Sequence, residues 1–176
     1  MPGRAPFHYD VFLSFRGEDT RLGFTGNLHS FLDQRGIRCF FDDKEIRKGK
    51  KITQELINAI EQSKIAIVVF SKNYAFSTFC LKELTKILDC YEEKKNNGRV
   101  FLPVFYGVDP SDLRYCRGSF GEAMDKHEKS ERFKNDKKLL DKWRTSLHKA
   151  AEISGCSFKL GYILFIFCVI LFSVSM

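Results

Sequence analysis

The 176-residue chain contains six cysteines, at positions 39, 80, 90, 116, 156 and 168, but no Cys-x-x-Cys pair and no Cys/His cluster at zinc-ligand spacing. A structural zinc site of the usual kind is therefore excluded. Several of these cysteines lie in apolar runs, where a free thiol behaves as a small hydrophobe, and this places the chain in a reducing compartment. Met1 to His8 lacks the apolar core of a signal peptide, so the chain does not read as secreted. Neither G-x-G-x-x-G nor G-x-x-x-x-G-K-[ST] occurs, which removes the dinucleotide-fold fingerprint and the P-loop. The four histidines, at 8, 29, 127 and 148, are scattered and form no Ser/His/Asp or Cys/His pattern; His29 and His148 read as surface residues. There is no internal repeat and no low-complexity stretch. No charged residue follows Lys159.

What is present describes a globular domain. Hydrophobic residues make up 44% and charged residues 29%, a balance that excludes a wholly disordered chain, and eighteen Phe imply a thick core. The formal net charge of +7 is compatible with nucleic acid, an anionic nucleotide or a membrane surface, and selects none of them. The basic clusters Lys48 to Lys51 and Lys134 to Lys138 lack the interleaved aromatics of a stacking platform, so nucleic acid is not an expected partner.

Short apolar runs alternate with helical-period segments. Strands are predicted at Tyr9 to Phe15, Ile37 to Phe41, Ile65 to Phe70 and Val100 to Tyr106, where Pro103 suggests a sheet edge or a bulge. Helical stripes run through Phe24, Leu28, Phe31 and Leu32, then Ile52, Leu56, Ile57 and Ile60, then Leu81, Leu84, Leu88 and Tyr91. Two further helices are predicted around Phe120 to His127 and Leu139 to Ala151. Nearly continuous apolar strands separated by helices predict an α/β fold, a parallel sheet with helices on both faces. Ligands of such sheets bind beyond the carboxyl ends of the strands. Here those ends lead into Ser14 to Gly17, Asp42 to Lys44, Ser71 to Asn73 and Gly107 to Asp109.

Two constellations lie at those ends. In Ser14 to Arg21, Arg16 and Arg21 could bracket a diphosphate, beside a Gly that lets backbone approach a ligand; alternatively the segment is a capped turn whose arginines pair with Glu18 and Asp19. In Ser71 to Leu84, a helix starting near Ser77 or Thr78 puts Glu83 beside the main leucine stripe, in a lane with Cys80 and Ile87. There it is either partly desolvated or a solvated residue pairing with Lys86 at i+3. A phosphoryl-accepting receiver domain would need an Asp after the third strand, where this chain has Phe70-Ser71-Lys72, so that class is excluded. The final seventeen residues, Leu160 to Met176, are apolar on every face. As a helix they would span roughly 25 Å, slightly short of the bilayer core, with Lys159 free to snorkel.

Together these residues resemble a known family. Tyr9-Asp-Val-Phe-Leu-Ser-Phe-Arg-Gly-Glu-Asp-Thr-Arg21 is similar to the opening motif of plant Toll/interleukin-1-receptor (TIR) domains of the disease-resistance type. Gly36-Ile-Arg-Cys-Phe-Phe-Asp-Asp43 with Gly49 is similar to that family's second strand and BB loop. Ser71 to Leu84 resembles the stretch that carries its catalytic glutamate, and Leu102 to Asp112 with Gly118 to Glu122 completes the pattern.

The resemblance implies a flavodoxin-like five-stranded parallel sheet and an NAD+ nucleosidase of plant innate immunity. That activity releases nicotinamide with ADP-ribose or cyclic variants. By the same resemblance Glu83 would be catalytic, and Phe15, Arg16, Arg21, Ser77 and Phe79 would surround the nucleotide. NAD+, or NADP+, would be substrate, with no cofactor and no metal. Activity would depend on assembly, through self-association or other TIR-domain receptors, in the cytoplasm. The competing reading is a non-catalytic TIR–TIR adaptor.

Three departures bear on this. Phe79 stands where family members commonly have Trp, and Gly26-Asn27 where they often have Ser-His at a self-association surface. The apolar tail stands where the last family helix would follow the fifth strand. The expected organisation is a short leader over 1–7, a TIR-only domain over 8–159 and the tail over 160–176. That tail would serve as a membrane anchor or fold back over the sheet.

Overall fold

A computed structural model describes residues 7–41, 53–93, 98–153 and 156–157. The strands are β1 (Tyr9–Phe15), β2 (Cys39–Phe41), β3 (Ser63–Phe70), β4 (Val100–Phe105) and β5 (Cys156–Ser157). The helices are α1 (Gly17–Thr20), α2 (Phe24–Asp33), α3 (Gln54–Glu61), α4 (Thr78–Glu93), α5 (Pro110–Arg114), α6 (Gly118–Lys129) and α7 (Lys137–Glu152), with a 3₁₀ turn at Tyr74–Phe76. The strands form one parallel sheet in the order β2-β1-β3-β4-β5, so the predicted five-stranded flavodoxin-like α/β sheet is observed. The strand order reverses between β1 and β3, and the carboxyl ends of these two strands mark the switch point where such sheets bind ligands.

Both sheet faces are buried. Val11, Leu13, Ile65, Ile67, Val69 and Val104 join Leu28 and Leu32 of α2 on one side. Phe12, Val68, Phe70 and Phe105 meet α3, α4, α6 and α7 on the other. The leucine stripe of α4 is fully inside: Leu81 and Leu84 are inaccessible and Leu88 is 3% exposed. Each such side chain contributes roughly 1.5–3 kcal/mol of transfer free energy. Helix starts follow local chemistry. Thr53, Asp109 and Asp136 accept backbone N–H groups of the first turns of α3, α5 and α7.

Pro103 lies in register with Val68 of β3, and β5 pairs only with Val104 and Phe105. Along its β5 side, β4 is thus an edge at Pro103 among the described residues, which is where a residue without an N–H can sit. Three short elements escaped the sequence pattern, α1, the 3₁₀ turn and α5, because three to five residues carry no measurable period. Asp42, Asp43 and Gly49, which the sequence likened to a BB loop, and the apolar tail 160–176 lie outside the described residues. Among the described residues no helix is long and apolar enough to cross a membrane.

His127 of α6 is buried, and its Nε2–H donates to the carbonyl of Ala75 at 2.8 Å, pinning the 3₁₀ turn from behind. Its ring packs edge-on against Phe133 and Trp143. Burial, with a smaller push from Lys126, depresses its pKa below the ordinary 6.5 despite the bond to Ala75. The folded protein therefore takes up this proton less readily than the unfolded chain, so stability rises with pH in the window below 6.5 and is lost as pH falls. Melting temperature is expected to drop between pH 7 and pH 5, and His127→Gln, which keeps a donor for Ala75, should flatten that slope.

Gly26 sits early in α2, where an added Cβ would run into the backbone carbonyl of Arg21. The close approach of the preceding turn therefore favours a residue without a Cβ here. Gly26→Ser is expected to cost about 1–3 kcal/mol, read as a lowered melting temperature at unchanged far-UV circular dichroism.

Candidate active site

The carboxyl ends of β1 and β3 and the first turns of α4 converge at the switch point. Val11 to Phe15 are buried residues in the middle of the sheet, and Ser14 is the single hydroxyl among them. After β3, the chain turns through Ser71 to Phe76, and α4 starts at Thr78. Ser77 Oγ accepts the Cys80 N–H at 3.2 Å, which is the geometry of an N-cap.

Glu83 is 4% exposed. The Ser14 hydroxyl donates to its Oε2 at 2.8 Å and lies 3.0 Å from the Tyr74 hydroxyl, which donates to the Cys80 carbonyl at 3.1 Å. The alternative of a solvated Glu83 paired with Lys86 is overturned: Lys86 Nζ reaches Glu61 Oε1 at 2.6 Å instead. Glu83 belongs to the desolvated lane with Cys80 and Ile87, as the helical spacing suggested. Its charge is felt nearby. Burial and then Glu83 push the Cys80 thiol up to about 12, and burial, Cys80 and Glu83 hold the Tyr74 phenol well above its usual value.

The predicted nucleotide-binding residues separate into two groups. Phe15, 9% exposed, stacks on Phe41 at 5.0 Å, and the Arg21 guanidinium lies 5.0 Å from both ring centroids. His29, expected at the surface, is half-buried and also stacks on Phe41, at 4.3 Å. His148 is also only half-exposed, with Nδ1–H donating to the Arg114 carbonyl at 2.9 Å. Arg16 takes the paired arrangement, 2.5 Å from Glu18 and 3.8 Å from Asp19. Phe79 is half-buried, one turn before Glu83 on the same side of α4. The Cys80 thiol, donating to the Phe15 carbonyl at 3.6 Å, joins the stacked group to the carboxylate.

Asp19, which the sequence offered only as a pairing partner for the arginines, also clamps a loop. Its carboxylate accepts from the Ser71 hydroxyl at 2.5 Å and from the Asn73 backbone and side-chain amides at 3.0 and 3.2 Å. It thereby ties the loop after β3 to the turn after β1. Ser14 and Tyr74 went unnoticed as site residues. The available signal for Ser14 was a hydroxyl in an otherwise apolar buried strand, a position where an unpartnered polar group costs energy. Among the described residues, no group of three or more His, Cys, Asp or Glu could hold a metal ion.

Comparison with known proteins is consistent with this geometry. The family model described as TIR domain matches residues 8–161. Disease resistance protein RUN1 of Vitis rotundifolia is 51% identical over 154 residues, covering 88% of this chain and 11% of that protein. TMV resistance protein N of Nicotiana glutinosa is 48% identical over 147 residues, covering 84% of this chain and 12% of that protein. The chain thus spans about an eighth or less of the length of these relatives. Among solved structures, the TIR domains of the activated Roq1 resistosome, which directly recognises the pathogen effector XopQ, superpose with a TM-score of 0.79. They are 44% identical to this chain and cover 95% of it and 98% of their own.

A buried thiol raised to about 12 is not a nucleophile near neutrality. Cys80 is therefore expected to resist iodoacetamide at pH 8 in the folded protein and to react once denaturant is added, as read by peptide mass mapping.

Proposed function

The chain belongs to the TIR domain family, and on that premise we propose that it is an NAD+ nucleosidase acting in plant innate immune signalling. The observation that carries this reading is Glu83, a carboxylate 4% exposed and held by Ser14 at the switch point of the sheet. Such a group stabilises positive charge in a water-poor site far better than a solvated carboxylate does. The reaction suits a single carboxylate. When the bond between ribose C1′ and the nicotinamide nitrogen breaks, its electron pair returns to the pyridinium ring and nicotinamide departs neutral. No proton has to be delivered to the leaving group, unlike glycoside hydrolysis, where a second carboxyl supplies one. Glu83 accepts hydrogen bonds from the ribose hydroxyls and stabilises the oxocarbenium character that develops at C1′. Water then captures C1′, giving ADP-ribose and a proton, or a nucleophile of the same molecule captures it, giving a cyclic product.

The remaining residues bind. Arg21, poised over Phe15 and Phe41, and Arg16 anchor the diphosphate of NAD+ or NADP+. Phe79 offers a ring face, and Ser77 and Phe15 border the nucleotide. No cofactor is required in this scheme. Assembly with other TIR domains belongs to the proposal, as does a cytoplasmic location. A non-catalytic adaptor is the second reading, favoured by one observation: Arg16 already faces Glu18 and Asp19, so a diphosphate must displace a carboxylate to reach it.

The test is nicotinamide release from NAD+ by wild-type protein concentrated on a surface that enforces assembly, beside Glu83→Ala. Loss of release by at least about a hundredfold in the variant is expected. A folded wild type that releases no nicotinamide would favour the adaptor.

A further inference from the structure

Glu83 lies on α4, and its carboxylate accepts a hydrogen bond from a different element of the fold. The donor is Ser14, on β1 and 69 residues away in sequence. Ser14 is itself inaccessible to solvent, so no bulk water competes for its hydroxyl or for the oxygen it serves. Its second contact is the hydroxyl of Tyr74, equally inaccessible, in the 3₁₀ turn between β3 and α4. Tyr74 touches the Cys80 carbonyl as well, within the first turn of the helix that carries Glu83. The contacts close a loop: Glu83 to Ser14, Ser14 to Tyr74, Tyr74 to Cys80, and Cys80 back along α4 to Glu83.

Proton counting gives this loop a direction. Ser14 and Tyr74 bring one hydroxyl proton each, and three contacts draw on them. Ser14 gives its proton to Glu83, so Tyr74 shares its own between Ser14 Oγ and the Cys80 carbonyl. Donation from Tyr74 into Ser14 Oγ polarises the Ser14 O–H further toward Glu83, as hydrogen bonds in series do in a low-dielectric interior. The Tyr74 ring is fixed in turn, packing edge-on against Phe70 at 4.9 Å while His127 pins the next residue's carbonyl.

We propose that Ser14 and Tyr74 are positioning residues for the Glu83 carboxylate: a two-hydroxyl relay, built from β1 and the 3₁₀ turn, that aims and polarises it. Neither needs to touch the substrate. The catalytic consequence rests on the reading of Glu83 as the reacting carboxylate; the relay itself does not.

The experiment therefore has two arms. In the first, the carboxyl resonance of Glu83 is followed by NMR in protein labelled at glutamate, for wild type, Ser14→Ala, Ser14→Thr and Tyr74→Phe, and assigned with Glu83→Gln. Ser14→Ala should move the resonance. Tyr74→Phe should move it too, although the lost hydroxyl does not contact Glu83 and the ring keeps its packing. Ser14→Thr, which retains the hydroxyl, should restore the wild-type position. A resonance indifferent to Tyr74→Phe would overturn the relay.

In the second arm, nicotinamide release is resolved into kcat and KM. Ser14→Ala should lower kcat about ten- to a hundredfold at nearly unchanged KM, the effect of losing one hydrogen bond to a charged group. Tyr74→Phe should show a smaller loss of the same kind. A raised KM with intact kcat would make Ser14 a binding residue and sink the positioning role. Resonance shifts without turnover by wild type would leave the relay standing and remove the nucleosidase reading beneath it.

Discussion

β1 runs beside β3 in unbroken parallel register, from Tyr9 against Ser63 to Phe15 against Val69, and takes β2 on its other side. A strand with sheet neighbours on both edges and helices on both faces has no freedom to shift, because a slip of one residue would turn every core side chain to the wrong face. Ser14 inherits that rigidity. It points to the side where α4 packs, and the burial of Phe12, Val68, Leu81 and Leu84 on that side holds helix and strand together. A carboxylate on α4 then meets a hydroxyl on β1 at hydrogen-bond distance, and a buried charge that would otherwise be costly is satisfied.

The site around this contact is held from several directions by polar groups that cap or clamp. Asp19 binds the loop after β3 through three hydrogen bonds, so the turns on either side of the switch point move as one. Ser77 caps α4 and fixes the helix start from which Glu83 projects. Arg16 and Arg21 follow the same strand. The first pairs with carboxylates, and the second lies over the rings of Phe15 and Phe41. Other cations, such as Lys142 and Lys149, engage Asp89 and Glu92 on the helical surface.

Much of this arrangement was legible in the residues. Tyr9 to Phe15 forms the strand its apolar run predicts, and the Leu81, Leu84 and Leu88 stripe is the buried face of α4. The lane shared by Glu83, Cys80 and Ile87 was also legible, because helical period assigns faces directly. Period could not decide between a desolvated Glu83 and one paired with Lys86. That choice depended on Glu61, which α3 brings to Lys86. His29 read as a surface residue because no local pattern announces that Phe41 will offer it a ring.

The residue pattern was enough to mark the longer strands and helices, the parallel, buried character of the strands, and the motifs that resemble a TIR domain. These follow from local periodicity, apolar run length and residue order. Packing between elements decided that Glu83 meets Ser14, that Tyr74 stands behind Ser14, that Asp19 closes the loop after β3, and that Arg21 lies over Phe15 and Phe41. Each of those contacts joins residues through strand order and register, or chooses among partners at similar chain distance. Such choices are made by the packing of whole elements and leave no trace in the spacing of residues along one of them.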